Sequence, residues 1–485
     1  MILKVALRSL VARPVRTAVL AVGFGLGVGV MVTLLGVGDV ILQQARSPAL
    51  AGGGDVVVGA ASGRVGNAPF VLYTLRPGGP FAGVRALAPS ALDTRYLRHD
   101  GRAVPILVRG GIPSAERALG DRETASAAGW TDTEADRAWL SQDPSAVLRS
   151  IDRFHHIPSV PARAASWAEW LYFNGIAGGG RFYLTFMTGP ETTPGRRSAG
   201  VRLQLERDGA LNAYSVQADA AAEQIVATAP DLTIGNNRVR LAGTDYRISL
   251  DLPAEQGHGR VTGEIVVHGN PDRSVPPFVL QGAGGWVSGY TVPVMSGSMD
   301  GELRVENAGP EEVRPTQPGV GRASLGPAHI DLSGGTAYHD HNWGFWDGVS
   351  WQWGQVQNGG LSFVYGRVRP PRDAADPAHL PGFLGVLGAD GPLAFSTDAT
   401  IEETNAPGDT RPSRIVVRAN GEGFSATLTL AIEQTTTTAG RKGGVGSGLD
   451  FLQMRAVYRV EARIGDRAIS FTAPGSAETF RGSVQ

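Results

Sequence analysis

From Trp167 to the C-terminus, apolar and polar residues alternate in short runs separated by turn formers. Residues 201–206 and 246–252 alternate strictly, and residues 181–187, 260–268 and 301–306 continue the series between Gly, Pro or Asn. A period of two sends successive side chains to opposite faces, so each run predicts a strand with one face buried. Residues 415–419, 424–433, 458–464 and 468–471 repeat the pattern in the last third. Strands this short, with frequent turns, predict an antiparallel sandwich or barrel. Residues 310–318 read as a linker and residues 440–448 as a Gly-rich loop, so the chain divides into β domains at 161–310 and 319–485.

Other periods precede the strands. Residues 131–153 are rich in Ala, Glu, Asp and Arg, and Trp139, Val147, Leu148 and Ile151 fall on one helical face. They predict a helical connector over 121–160. Residues 47–120 hold short apolar runs, such as 55–59 and 104–109, and read as a small, irregular α+β region. Residues 17–38 form an uncharged run of 22 residues. At 1.5 Å per residue such a helix spans about 33 Å, enough for a bilayer core. Lys4, Arg8, Arg13 and Arg16 precede it. The bias of positive charge predicts a cytoplasmic tail within 1–46, one pass of the inner membrane through 17–38, and all later domains in the periplasm. The competing reading of this run is a cleaved signal peptide.

Composition narrows the function. Gly 67 and Pro 31 with only 18% charged residues suit a turn-rich β protein. A formal charge of -1 gives no footprint for nucleic acid. The absence of cysteine excludes disulfides, thiolate metal sites and a cysteine nucleophile. Neither a nucleophile elbow nor a phosphate-binding glycine loop is complete. The pair His155 and His156 stands apart from other ligands and reads as solvated.

The chemistry concentrates in Tyr338, His339, Asp340, His341, Asn342, Trp343 and Gly344, followed by Trp346, Trp351 and Trp353. On a strand, Tyr338, Asp340 and Asn342 share one face, with His339 and His341 on the other. Placed inside a barrel, the first face sets a carboxyl group beside a phenol, an amide and aromatic rings. Low dielectric there raises an aspartate's pKa, which suits a general acid. Aromatic faces stabilise a cation made by protonating an alkene. The histidine face has the spacing of a chelate, but Gly344, Phe345 and Trp346 stand where a ligating glutamate would be expected. The same residues also suit a buried hydrogen-bond network without catalysis. The sequence therefore predicts no metal and no other cofactor.

Two resemblances add to this. Residues 337–344 resemble the signature of the carotenoid 1,2-hydratase (hydroxyneurosporene synthase) and AttH-like family. The run Ser166 to Gly175, with Trp167, Glu169 and Trp170, resembles that family's other landmark, with Leu171 in place of a tryptophan. The resemblance spans about 160–485. It implies two consecutive lipocalin-like β domains, a bound hydrophobic molecule, and Asp340 as proton donor, with Tyr338 orienting it and His339 and His341 in support. Trp286, Asn342, Trp343, Trp346, Trp351 and Trp353 would line the substrate. Separately, residues 1–120 resemble the start of FtsX/MacB-type ABC transporter permeases, although the later helices of that family are missing. The expected function is acid-assisted hydration or cyclisation of a long apolar molecule. The alternative is a non-catalytic lipid-binding partner of an ABC exporter.

Overall fold

The computed structural model describes residues 65–120, 129–178, 180–207, 210–256, 259–306, 327–375, 382–405, 411–439 and 449–482, with a few scattered positions outside these stretches. The expected linker 310–318 and loop 440–448 lie outside the described residues, as does most of the run 17–38. Among the described residues no helix is long and apolar enough to cross a membrane. That finding overturns the expected single-pass placement in the inner membrane.

The chain forms two units. One contains a hairpin of β1 (Ser90–His99) and β2 (Arg102–Gly111), paired from Ser90 with Gly111 to His99 with Arg102. The other contains both large sheets. It opens with a helix, α1 (Ala68–Thr74), and gains a second, α2 (Pro144–Ile151). Asp143 caps α2 by accepting from the Ala146 N–H at 2.9 Å, and Pro144 takes the first turn, where its missing N–H costs nothing. Val147, Leu148 and Ile151 face the core as expected. Trp139 does not; it is 42% exposed.

The first sheet takes β3 (Trp167–Ala177), β4 (Gly180–Thr193), β5 (Arg196–Arg207), β6 (Ala210–Ala221), β7 (Leu232–Ile234), β8 (Asn237–Ala242), β9 (Asp245–Pro253) and β10 (Arg260–His268). It continues with β11 (Val275–Gln281), β12 (Val287–Glu306), β13 (Ala328–Asp331) and β14 (Gly335–Phe345). Its order is β6-β5-β4-β3-β14-β12-β10-β9-β8-β7, with β11 and β13 added on β12. A bridge from Tyr214 to Ala254 nearly closes it into a barrel around Phe173, Leu184, Phe186, Tyr246 and Ile265. The second sheet runs β15 (Ser350–Asn358), β16 (Leu361–Arg369), β17 (Gly382–Gly388), β18 (Gly391–Asn405), β19 (Pro412–Gly421), β20 (Phe424–Ala439), β21 (Leu449–Ile464) and β22 (Arg467–Gly482). These eight strands close in sequence order, an up-and-down barrel of the lipocalin type. Every run read as a strand from alternation lies within one of these elements.

One strand sits where chain order does not suggest. The motif strand β14 falls within 319–485, yet it pairs with β3 and β12 at the centre of the first sheet. The last strand of the first sheet therefore leads directly into the closed barrel. Between the two barrels lies a third apolar cluster, containing Trp170, Tyr172, Trp286, Tyr290, Tyr338, Trp346, Trp351, Trp353 and Phe480.

Candidate functional site

Because β14 is a central strand covered on both sides, all its residues from Ala337 to Phe345 are buried. Alternation separates them into two clusters. The face carrying His339 and His341 turns into the first barrel, where His339 stacks on Phe173 with centroids 4.0 Å apart. The face carrying Tyr338, Asp340 and Asn342 turns toward the closed barrel. Asp340 thus sits between the barrels, not inside one as the sequence suggested. Periodicity separates faces but does not say which face meets which core.

On the barrel-core face the histidines hold two buried carboxylates. Asp152, directly after α2, accepts from His339 Nε2 at 3.0 Å, His341 Nδ1 at 2.8 Å and the Tyr246 hydroxyl at 2.8 Å. His339 Nδ1 meets the Tyr172 carbonyl at 2.9 Å. Glu169 Oε1 lies 3.1 Å from His341 Nε2 and 2.7 Å from His155 Nδ1. Burial alone would raise the Asp152 carboxyl, but the charge and hydrogen bonds of His339 and His341 outweigh it and hold the pKa low. Glu169 is lowered in the same way: burial opposes, and hydrogen bonds from His155 and His341 prevail. Burial disfavours the His341 cation, yet its bonds to Asp152 and Glu169 push its pKa up to about 9.

Two sequence readings change here. His155 is not simply solvated; it joins this network and stacks on Trp343 with centroids 4.3 Å apart. His339 and His341 make their hydrogen bonds on the opposite face of β14 from Asp340, to Asp152, Glu169 and the Tyr172 carbonyl, so His341 acts on Asp340 through its charge and not through a bond. Asp152 was missed. Its signal was present, since four residues after Leu148 it shares the buried face of the helix.

On the other face, Asn342 Nδ2 donates to Asp340 Oδ1 at 2.6 Å, and Trp353 Nε1 donates to the Tyr338 hydroxyl at 2.8 Å. Burial pushes the Asp340 carboxyl up to about 7, against hydrogen bonds from Tyr338 and Asn342 that favour its charged form. Glu478, on β22 of the closed barrel, shares this environment. Burial, reinforced by the charge of Asp340, raises its pKa well above the usual range. Two buried carboxyls that repel each other are costly to ionise together. Nothing in the sequence around Glu478 marks it, because its partner is 138 positions away on another barrel.

The tryptophans of this region have different tasks. Trp346 donates to the Ala168 carbonyl at 2.8 Å and Trp286 to the Phe345 carbonyl at 3.0 Å, so both tie backbone segments together. Trp351 and Trp353 stack with centroids 6.0 Å apart, and Trp353 meets Tyr290 edge-on. Trp343 packs beside His155 and His341 instead. Beside Asp340, Asn342 Oδ1 is buried without a hydrogen-bond partner, and Tyr172 Oη and Glu478 Oε1 lie next to each other without a well-formed bond. Buried polar atoms are rarely left so, and a cluster of them marks a place for a polar group.

Fold and site together define a mostly β protein with one nearly closed sheet and one closed eight-stranded barrel, and a cluster of aromatic and buried polar residues between them. No protein-family model matches the chain. No curated protein matches it either. Among solved structures it is similar to NE1406 of Nitrosomonas europaea, a candidate AttH, at 15% identity over 66% of this chain and 93% of that one, with a TM-score of 0.40. CghA with Sch210972 is 11% identical over 68% of this chain and 94% of its own, with a TM-score of 0.38. Likenesses this slight carry nothing about activity. The permease resemblance of residues 1–120 and a transporter partner find no support.

Proposed function

We propose that the aromatic cluster between the barrels binds a long apolar molecule, and that Asp340 protonates an alkene of that molecule for hydration or cyclisation. The observation that carries this is the placement of Asp340: a buried carboxyl bonded to Asn342 and close to Tyr338 and to Glu478 of the closed barrel, beside the aromatic cluster that holds Tyr290, Trp351 and Trp353. The proton moves from the Asp340 carboxyl to one alkene carbon, and the π electrons form the new C–H bond. The cation left on the other carbon faces indole and phenol rings, which favour it. Water then adds and returns a proton to Asp340. In the cyclising variant a second alkene closes on the cation, and loss of a C–H proton restores the acid.

An aromatic path supports the apolar character of the ligand. Phe278 stacks on Tyr290, Tyr290 on Phe383 and Phe383 on Phe395, with centroids 5.6, 5.4 and 5.7 Å apart. Phe278 and Phe395 are 46% and 54% exposed, so the rings lead from solvent to Trp353. A binding role without chemistry is favoured by one observation, the bond that ties Asp340 to Asn342.

The deciding experiment is mass spectrometry of apolar molecules that co-purify with the protein and with Asp340→Asn. The expected result is a product on the wild type, either heavier by one water or an isomer, and its precursor on the variant. The same unmodified molecule on both would sink the catalytic reading and leave the binding one.

A further inference from the structure

We infer that His155, Glu169 and His341 form a binding site for a divalent metal ion of the zinc class, on the opposite face of β14 from Asp340. One ligand atom from each lies within 4.8 Å of the others. Two imidazoles and one carboxylate make a set that suits zinc, cobalt or nickel, with room for a fourth ligand. Ligand bonds of about 2.0–2.2 Å in a tetrahedron set the ligand atoms roughly 3.3 Å apart. The contacts at Glu169 Oε1, 2.7 Å to His155 and 3.1 Å to His341, are already close to that spacing. The ion would replace the protons that bridge this oxygen to the two rings.

A second observation points the same way. His341 Nδ1 is held by Asp152 Oδ1 at 2.8 Å, which leaves Nε2 aimed at Glu169. Metal-bound histidines are commonly fixed like this, by a carboxylate on the nitrogen away from the ion. Asp152 is fixed in turn by Tyr246 and His339. The His155 ring is anchored by Trp343, yet its side chain is 39% exposed, which opens a path to solvent and a place for a water ligand. Charge is compatible. Arg197, 3.7 Å from Glu169 Oε2, offsets one of the two carboxylates. With neutral imidazoles the site keeps a net negative charge. The ion would pin the segment after α2 to β3 and β14 at the end of the first barrel.

The test uses the full chain, stripped with chelator and titrated with Zn²⁺ by calorimetry and with Co²⁺ by visible absorption. The expected result is one ion per chain, cobalt bands of a four- or five-coordinate site, and a loss of at least about tenfold in affinity in His155→Ala. His156→Ala, which removes the exposed neighbour, is expected to bind like wild type. No stoichiometric binding, or equal losses in the two variants, would overturn the site.

Discussion

At the scale of single residues, Asp152 does more for the fold than its place in a connector implies. It accepts from His339, His341 and Tyr246, all fully buried. Asp152→Asn keeps the shape but removes the charge that compensates the histidines. Breaking a buried, paired charge costs about 3–5 kcal/mol, and equilibrium unfolding in urea is expected to show a loss of that order. Trp353→Phe is milder. It removes one donor from Tyr338 while keeping a ring, and a loss of about 1 kcal/mol is expected in the same assay. Asp340 and the tryptophans were legible in the sequence as a cluster. Glu478 was not, because residues that meet only across two barrels leave no local pattern.

At the scale of elements, β14 depends on close approach to β12. A Cβ at Gly289 would overlap the Trp343 indole that packs on His155. Gly289→Ala is therefore expected to cost about 1–3 kcal/mol, and to shift the near-ultraviolet circular dichroism of the indoles. Strands β9, β10 and β12 are joined by His268 on β10, which bonds Asp300 on β12 and Asp245 on β9, both at 2.9 Å. The bond to Asp300, then that to Asp245, raises the His268 pKa above its ordinary value near 6.5. A raised folded pKa gives stability that is complete below the unfolded value and fades as pH rises through the folded one. His268→Gln should therefore lower the melting temperature more at pH 5.5 than at pH 9. Equal losses at both pH values would count against this clamp. The strands themselves were readable from alternation, whereas the order in which they pair was not.

At the scale of the molecule, the two barrels share the cluster around Trp170, Trp346, Trp351 and Trp353. Polar contacts cross the same boundary: Arg181 donates to the Gly475 carbonyl at 2.9 Å and to Ser476 Oγ at 2.7 Å, and Gln355 donates to Asn174 at 3.0 Å. Arg455 also pairs with Glu206. An interface this apolar couples the stability of its halves. Calorimetry is expected to show a single cooperative transition for both barrels, and two resolved transitions would show that they unfold independently. The membrane placement read from residues 17–38 was a judgement at this scale too. It was corrected because no described helix is long and apolar enough to cross a membrane.

The sequence by itself determined the β class, the strands and the split of β14 into a carboxyl face and a histidine face, since these follow from local periodicity. It also singled out Asp340 by its neighbours. Only the tertiary structure decided which face meets which core, that β14 belongs to the first barrel, and that Asp152, Glu169 and Glu478 are partners of the motif. Those choices depend on contacts between residues far apart in the chain, and a period of two is the same on either side of a buried strand.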